Sequence, residues 1–130
     1  MKNFKKLILK IDNTIQDAVK NLDESGKKIV LVTKNNKFIG TITDGDIRRG
    51  ILQGISLKTS VQKILNKNAI VCDALVSIKE LNNIMISNDI NSIPIIDKNK
   101  EIKDLKFLFE DKPINKNQVS NSMVIMVGGK

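Results

Sequence analysis

Gly40-Thr41-Ile42-Thr43-Asp44-Gly45-Asp46-Ile47-Arg48-Arg49 is the stretch that decides how the rest of the chain is read. The apolar run Phe38–Ile42 leads into it as a strand. Ile47, Ile51 and Leu52 predict an amphipathic helix leading out, with those three residues on one side. The turn between them carries a hydroxyl (Thr43), two carboxylates (Asp44, Asp46), a permissive Gly45 and the free N–H groups of a helix start. Such a turn can hold a small anion or a sugar diol. T-x-x-D is equally a capping box, with Thr43 as N-cap and Asp46 at N3, which satisfies orphan N–H groups with no ligand. Both readings stand at this point.

Working outward, the same order of elements occurs twice. Thr14 with Asp17 has capping-box spacing, and the helix from Ile15 to about Asp23 is expected to bury Ile15, Ala18, Val19 and Leu22. Ile29–Val32 is a continuous β-branched run, the mark of a strand covered on both faces. Lys34–Lys37 is a polar hairpin turn, Phe38–Ile42 the returning strand, and a helix from Asp46 to about Gln53 ends at Gly54. Leu7–Leu9 is a short extended piece, and a short helix falls around Val61–Leu65. The second round begins with an extended Ala69–Cys72. Ser77 with Glu80 forms a capping box, and Ile78, Leu81, Met85 and Ile86 form an apolar stripe. Ile93–Ile96 is a strand that tolerates Pro94 near its start, Asp97–Lys100 is a turn, and Ile102–Leu105 is a strand. Ile29–Val32 falls on Ile93–Ile96 at an offset of 64 (93 − 29), and Thr14 on Ser77 at 63 (77 − 14), with one residue of slack near Gly26. A unit this small cannot cover its own sheet, so the two copies should pack face to face. The expected organisation is repeat 1 over 1–66, repeat 2 over 67–111, a linker over 112–122 and the start of another domain over 123–130.

Composition removes several function classes. The net charge of +8 invites a nucleic-acid reading, but all but two of the 22 basic residues are dispersed lysines, and Trp and Tyr are absent. That leaves a solvated face without stacking platforms, so no nucleic-acid partner is expected. No apolar run reaches 18 residues, so no membrane span is expected, and Leu7–Leu9 is too short for a signal-peptide core. A lone Cys72 and no His exclude an internal disulfide, suit a cytoplasmic location, and leave no parts for a zinc site or a Cys/His nucleophile. Asp44 and Asp46 lack the further acids or base that Mg²⁺ or acid–base chemistry needs, so no catalytic or metal-binding residue is assigned.

Two such units, the first closed by G-x-h-[ST]-x-x-D, resemble a pair of CBS domains (a Bateman module) over residues from about 7 to 111. Leu31-Val32, the Gly40–Arg49 stretch and Leu65-Asn66-Lys67-Asn68 look like the pair found ahead of certain bacterial sugar-phosphate nucleotidyltransferases. Met123-Val124-Ile125-Met126-Val127-Gly128-Gly129-Lys130 resembles the opening strand and glycine turn of that catalytic domain, whose signature continues as Gly-x-Gly-Thr-Arg-Leu. The plainer reading of this tail is an ordinary strand ending in a flexible Gly-Gly. The resemblance makes the chain a non-catalytic regulatory fragment of a longer enzyme.

The resemblance implies an α/β (α+β) fold, each repeat a small β-sheet with two helices, packed face to face with pseudo-two-fold symmetry. It further implies a side-by-side homodimer, a C-terminal catalytic domain as partner, and an adenosine nucleotide (AMP, ADP or ATP) as regulatory ligand. No cofactor is required, and Mg belongs to the missing catalytic domain only. By position, Asp46 would accept from both ribose hydroxyls, while Thr43 and the helix N-terminus face the ribose–phosphate; Thr41 is counted among the ligand-binding residues. Arg48 would face a phosphate; Arg49 points about 100° away. Ala69, Ile70, Ile90, Asn91 and Ser92 would complete the site from the other repeat, with Ile70 and Ile90 sandwiching the adenine. Each of these apolar residues has core packing as its alternative, and Arg48 a solvated helix face. In the second cleft, Gly40 falls on Asp104, Thr43 on Phe107 and Asp46 on Glu110, so this cleft is expected to be empty or filled by Phe107. Two function classes remain: a nucleotide-responsive regulator, and a dimerisation module that binds nothing.

Overall fold

The structure is a computed structural model that describes residues 4–108. The linker, the 123–130 tail and Glu110 lie outside the described residues. After a 3₁₀ turn at Phe4–Leu7, the elements are β1 (Ile8–Lys10), α1 (Ile15–Ser25), β2 (Ile29–Lys34), β3 (Lys37–Thr43), α2 (Asp44–Leu52), a 3₁₀ turn at Val61–Lys63, α3 (Ile78–Ser87), β4 (Ser92–Ile96) and β5 (Ile102–Phe107). This is the expected α+β architecture. Strand β1 runs parallel to β2, and β2 pairs antiparallel with β3; β4 and β5 form a second antiparallel pair. A counterpart of α2 in repeat 2 would start at Leu108, so the expectation of two helices there falls outside the described residues.

Local chemistry places the elements. Thr14 caps α1 by accepting from the Asp17 amide, and the Asp17 carboxylate accepts from the Thr14 amide at 2.9 Å. Gly26 closes the helix in the left-handed region (φ 68°), its N–H donating to the Leu22 carbonyl. The β2–β3 turn places Asn35 and Asn36 at φ 54° and 65°, the paired left-handed geometry of a tight hairpin that Asn tolerates better than most residues.

The alternation along β2 explains its uninterrupted apolar run. Val30 and Val32 pack with Ile15, Ala18, Leu22, Ile42, Ile47 and Val61 beneath the helices of repeat 1. Ile29 and Leu31 point the other way and pack with Leu7 and with Leu105 of β5. The two repeats therefore meet sheet to sheet, and repeat 2 has its own helix-facing cluster of Leu81, Met85, Ile93 and Ile95.

The pairings correct the repeat alignment. The bridge Leu9↔Val32 in repeat 1 corresponds to Cys72↔Ile95 in repeat 2, and both β-bulges, Val32/Thr33 and Ile95/Ile96, are displaced by 63 (95 − 32). The β3 residue Thr43, opposite Ile29, corresponds to Phe107, opposite Ser92, at 64 (107 − 43). The extra residue lies in the second hairpin turn, not near Gly26. Gly26 matches Asp89, which is also left-handed (φ 56°).

Other expectations shift for physical reasons. Helix α2 starts at Asp44 because Thr43 is its N-cap, two residues earlier than expected. Ile47 is buried, whereas Ile51 and Leu52 are 52% and 79% exposed. The packing face of α2 runs through Gly50, where a Cβ would lie 2.8 Å from Ile64, and this turns Ile51 and Leu52 outward. Val19 lies at the margin of the α1 stripe, 37% exposed. On α3, Leu81 and Met85 are buried, while Ile86, 100° on from Met85, and Ile78, at the helix end, are largely exposed. Ser77 accepts from the Glu80 amide at 3.1 Å, but the return bond of a full capping box is not made. Ala69–Cys72 forms no strand beyond the Cys72 bridge, and the helix expected at Val61–Leu65 is only the 3₁₀ turn.

Candidate functional site

The start of α2 is built as a complete capping box. The Thr43 amide donates to Asp46 Oδ2 at 2.9 Å, the Thr43 hydroxyl lies 3.1 Å from the same oxygen, and the Asp46 amide donates to Thr43 Oγ1 at 3.4 Å. The other oxygen, Oδ1, accepts from Arg49 Nη2 at 2.8 Å. A carboxylate offers about four acceptor positions, so the cap and the ion pair occupy most of Asp46. Arg49, not Arg48, is the arginine that reaches back to the turn; Arg48 is exposed.

Gly40 serves the backbone, not the turn. A Cβ there would lie 2.5 Å from the Asn66 carbonyl and 2.8 Å from Leu65. The bare Cα lets the segment after the Val61–Lys63 turn lie beside β3, where the Thr41 and Asn66 amides and carbonyls exchange hydrogen bonds at 3.2 and 2.9 Å.

That approach brings the 66–70 segment to one wall of a cavity of about 540 Å³. Repeat 1 contributes Lys27, Lys28, Ile29, Thr41, Thr43, Asp44 and Gly45; repeat 2 contributes Asp89, Ile90, Asn91, Ser92, Pro94 and Phe107. Asn66, Asn68, Ala69 and Ile70 lie between them. The structure thus lines one cavity with Thr41, Thr43, Ala69, Ile70, Ile90, Asn91 and Ser92. Asp46 and Arg48 do not line this cavity.

The lining is mixed in character. Lys27, Lys28, Thr43 and the α2 N-terminus give it cationic and hydrogen-bonding groups, countered by the carboxylates of Asp44 and Asp89. Ile70, Ile90, Pro94 and Phe107 give it apolar surface, with Asn91 and Ser92 among them. Phe107, at the second cleft that is expected to be empty or filled by it, lines this same space, with Lys27 Nζ 5.1 Å from its ring centroid. Lys27 and Lys28 were not singled out in the sequence. The repeat offset was the available signal, because at 63 it carries Ile90 and Asn91 back onto them (90 − 63, 91 − 63).

The family profile of the CBS domain matches residues 5–53 and 61–105. The chain belongs to the CBS domain family. Its CBS pair is similar to a CBS domain protein from Pyrobaculum aerophilum complexed with AMP, at 16% identity and a TM-score of 0.69 over 82% of this chain and 87% of that one. It is also similar to the CBS domain pair of protein MJ0100 in complex with 5′-methylthioadenosine and S-adenosyl-L-methionine, at 19% identity and a TM-score of 0.68 over 78% and 80% of the two chains. At these identities the likeness establishes the fold. Among curated proteins, arabinose 5-phosphate isomerase GutQ of Salmonella typhi is 27% identical over 90 residues, 68% of this chain and 28% of the isomerase. The chain spans about a quarter of the length of the curated relatives it matches. Among the described residues, no helix is long and apolar enough to cross a membrane, and no group of side chains is arranged to hold a metal ion.

Proposed function

We propose that this CBS pair is a regulatory, non-catalytic module that binds an adenosine nucleotide in the cavity between its repeats. The observation that carries the reading is the meeting of Thr43, Lys27 and Lys28 with Ile70 and Ile90 around one space. Cations and a helix start suit the phosphate, and the aliphatic pair suits the base. AMP in the Pyrobaculum protein and the adenosine-type ligands of MJ0100 support the same ligand class. Thr43 and Thr41 face the ribose–phosphate, and Asn91 and Ser92 offer polar groups to the base edge. Asp46 is the ribose acceptor only if Arg49 swings away, and Arg48 acts only at the rim.

Titration with AMP, ADP, ATP and S-adenosylmethionine tests this by thermal shift. A ligand at 100 times its Kd stabilises the chain by about 2.7 kcal/mol. Lys28→Ala, at an exposed position, should weaken the nucleotide response. No shift with any of the four, or an unchanged shift in Lys28→Ala, sinks the reading. Asp46→Ala is the poorer probe because it also removes the α2 cap.

The competing reading is a ligand-free dimerisation module. The engaged state of Asp46 and the exposed Val19, Ile51, Leu52, Ile78 and Ile86 on the helices favour it. A homodimer is part of both readings, and a monomeric mass in solution would remove it from both. In a longer cytoplasmic parent, the 112–122 linker would pass a change in the pair to a C-terminal sugar-phosphate nucleotidyltransferase. The resemblance of Met123–Lys130 supports that enzyme, whereas GutQ supports sugar-phosphate chemistry of a different class, isomerisation. The residues encoded after Lys130 decide between them: a Gly-Thr-Arg-Leu-like continuation is required for the transferase.

A further inference from the structure

A second cavity, of about 500 Å³, lies at the far end of the β2–β3 hairpin and carries a different chemistry. Four lysines line it, Lys34, Lys37, Lys67 and Lys100, and no carboxylate does. Backbone pairings hold them together. Lys34 and Lys37 stand directly opposite each other at the end of the hairpin, a like-charge pairing that costs stability. The Phe38 amide donates to the Lys100 carbonyl at 2.7 Å, and Lys100 holds an unfavourable left-handed backbone (φ 68°). Lys67 follows directly on Asn66, which is bridged to Thr41. Lys37 Nζ reaches a neutral carbonyl, that of Asn99, at 2.8 Å, and among the described residues none of the four lysines forms an ion pair. Half-buried Ile11 and Leu65 line the same space beside the four exposed lysines.

From this we infer a second ligand site, distinct from the inter-repeat cavity, for a compact polyphosphate. Lysine ammoniums act as point charges toward phosphate oxygens, and several of them around one space match a ligand that carries several phosphates. The volume lies within the range of small-molecule sites. Binding would neutralise charges that the fold otherwise crowds together.

Inorganic tripolyphosphate is the probe, titrated into the 130-residue chain and followed by amide chemical shifts. Shifts are expected at Lys34–Phe38, Leu65–Lys67 and Lys100. The affinity should fall steeply as salt is raised and the Debye length shrinks from about 10 Å to about 3 Å. The exposed double substitution Lys34→Ala/Lys67→Ala should weaken binding by about tenfold or more, and its amide spectrum reports whether it is folded. Sulfate binding equally well at matched ionic strength would overturn the proposal. So would shifts confined to Lys27, Lys28 and Thr43, or wild-type affinity in the folded double variant. An acidic peptide that outcompetes tripolyphosphate at equal charge would assign the cavity to a protein partner instead, and likewise overturns it.

Discussion

The two repeats share a backbone plan and differ in what they hang on it. Each has a helix stopped by a left-handed residue (Gly26, Asp89), a strand with one bulge at the same place, and a parallel bridge to the segment before its helix. On this common plan, Lys27, Lys28 and Thr43 stand where repeat 2 has Ile90, Asn91 and Phe107. The result is an asymmetric cavity from a near-symmetric scaffold: repeat 1 brings two lysines, Thr43 and Asp44, and repeat 2 brings Asp89, Asn91 and Ser92 with the apolar Ile90, Pro94 and Phe107. Like walls would give an asymmetric ligand two equivalent orientations; unlike walls favour one.

The inter-repeat face is where the largest difference between equivalent positions should appear. Leu31 is completely buried there, packed with Leu7, Ile29 and Leu105, and its counterpart is the smaller Pro94. Leu31→Ala removes three buried carbons and leaves a cavity, at an expected cost of about 2–5 kcal/mol. Pro94→Ala should cost clearly less, because it removes less volume from the same face. Urea unfolding of both variants measures this. Equal losses would show that the two strands share the interface evenly, against the asymmetry drawn above.

The helix caps offer a second, smaller contrast. The Thr43 hydroxyl accepts from the Asp46 amide and also donates to the Asp46 carboxylate at 3.1 Å, whereas the Ser77 hydroxyl only accepts from the Glu80 amide. Thr43→Ala should cost about 1–2 kcal/mol and Ser77→Ala nearer 0.5 kcal/mol, the two ends of the usual range for lost N-caps. Denaturant midpoints with unchanged slopes would report this cleanly. A Ser77→Ala loss as large as that of Thr43→Ala would mean that the Thr43 hydroxyl's own bond to the Asp46 carboxylate contributes nothing.

The caps were legible in the sequence because they depend on two side-chain types three residues apart, and Thr14/Asp17 and Thr43/Asp46 form as read. The register between repeats was not legible. Ile29–Val32 and Ile93–Ile96 are both continuous apolar runs, and a run buried on both faces carries no phase to show a one-residue slip. The pairings with β1, β3 and β5 supply that phase. Ile51 and Leu52 were assigned inward because a helix face is counted in side chains, and Gly50 has none; its bareness is what lets Ile64 come close. Around the cavity, Thr43 is pointed to by the motif, and Ile70 and Ile90 by the family resemblance. Lys27 and Lys28 were passed over because a lysine pair after a helix reads as solvated surface until the fold turns it toward the other repeat. That Arg49 rather than Arg48 meets Asp46 follows from spacing: on a helix i and i+3 are neighbours, whereas i and i+2 point apart.

The smallest expected effect compares the N3 acids of α1 and α3, Asp17 and Glu80, which stand at equivalent positions. Hydrogen bonds from the Thr14 amide, and after it from the Asn13 side chain at 3.1 Å, hold the Asp17 carboxyl below its ordinary value. A carboxyl whose pKa is lower in the folded chain binds its proton less tightly there than in the unfolded chain. Its contribution is therefore complete above the unfolded value of about 3.9 and is lost as pH falls through the folded value. Asp17→Asn should thus lower the melting temperature slightly at pH 6 to 7, and the gap from the parent chain should close on acidification below about pH 4. Glu80 makes no return bond to Ser77, so Glu80→Gln should lower the melting temperature at pH 7 by less than Asp17→Asn does. Melting curves of the three proteins from pH 7 down to pH 3 measure both. A gap for Asp17→Asn that persists unchanged at pH 3 would show that the side-chain amide fails as a cap for reasons other than charge, and would dissolve this last difference between the two helices.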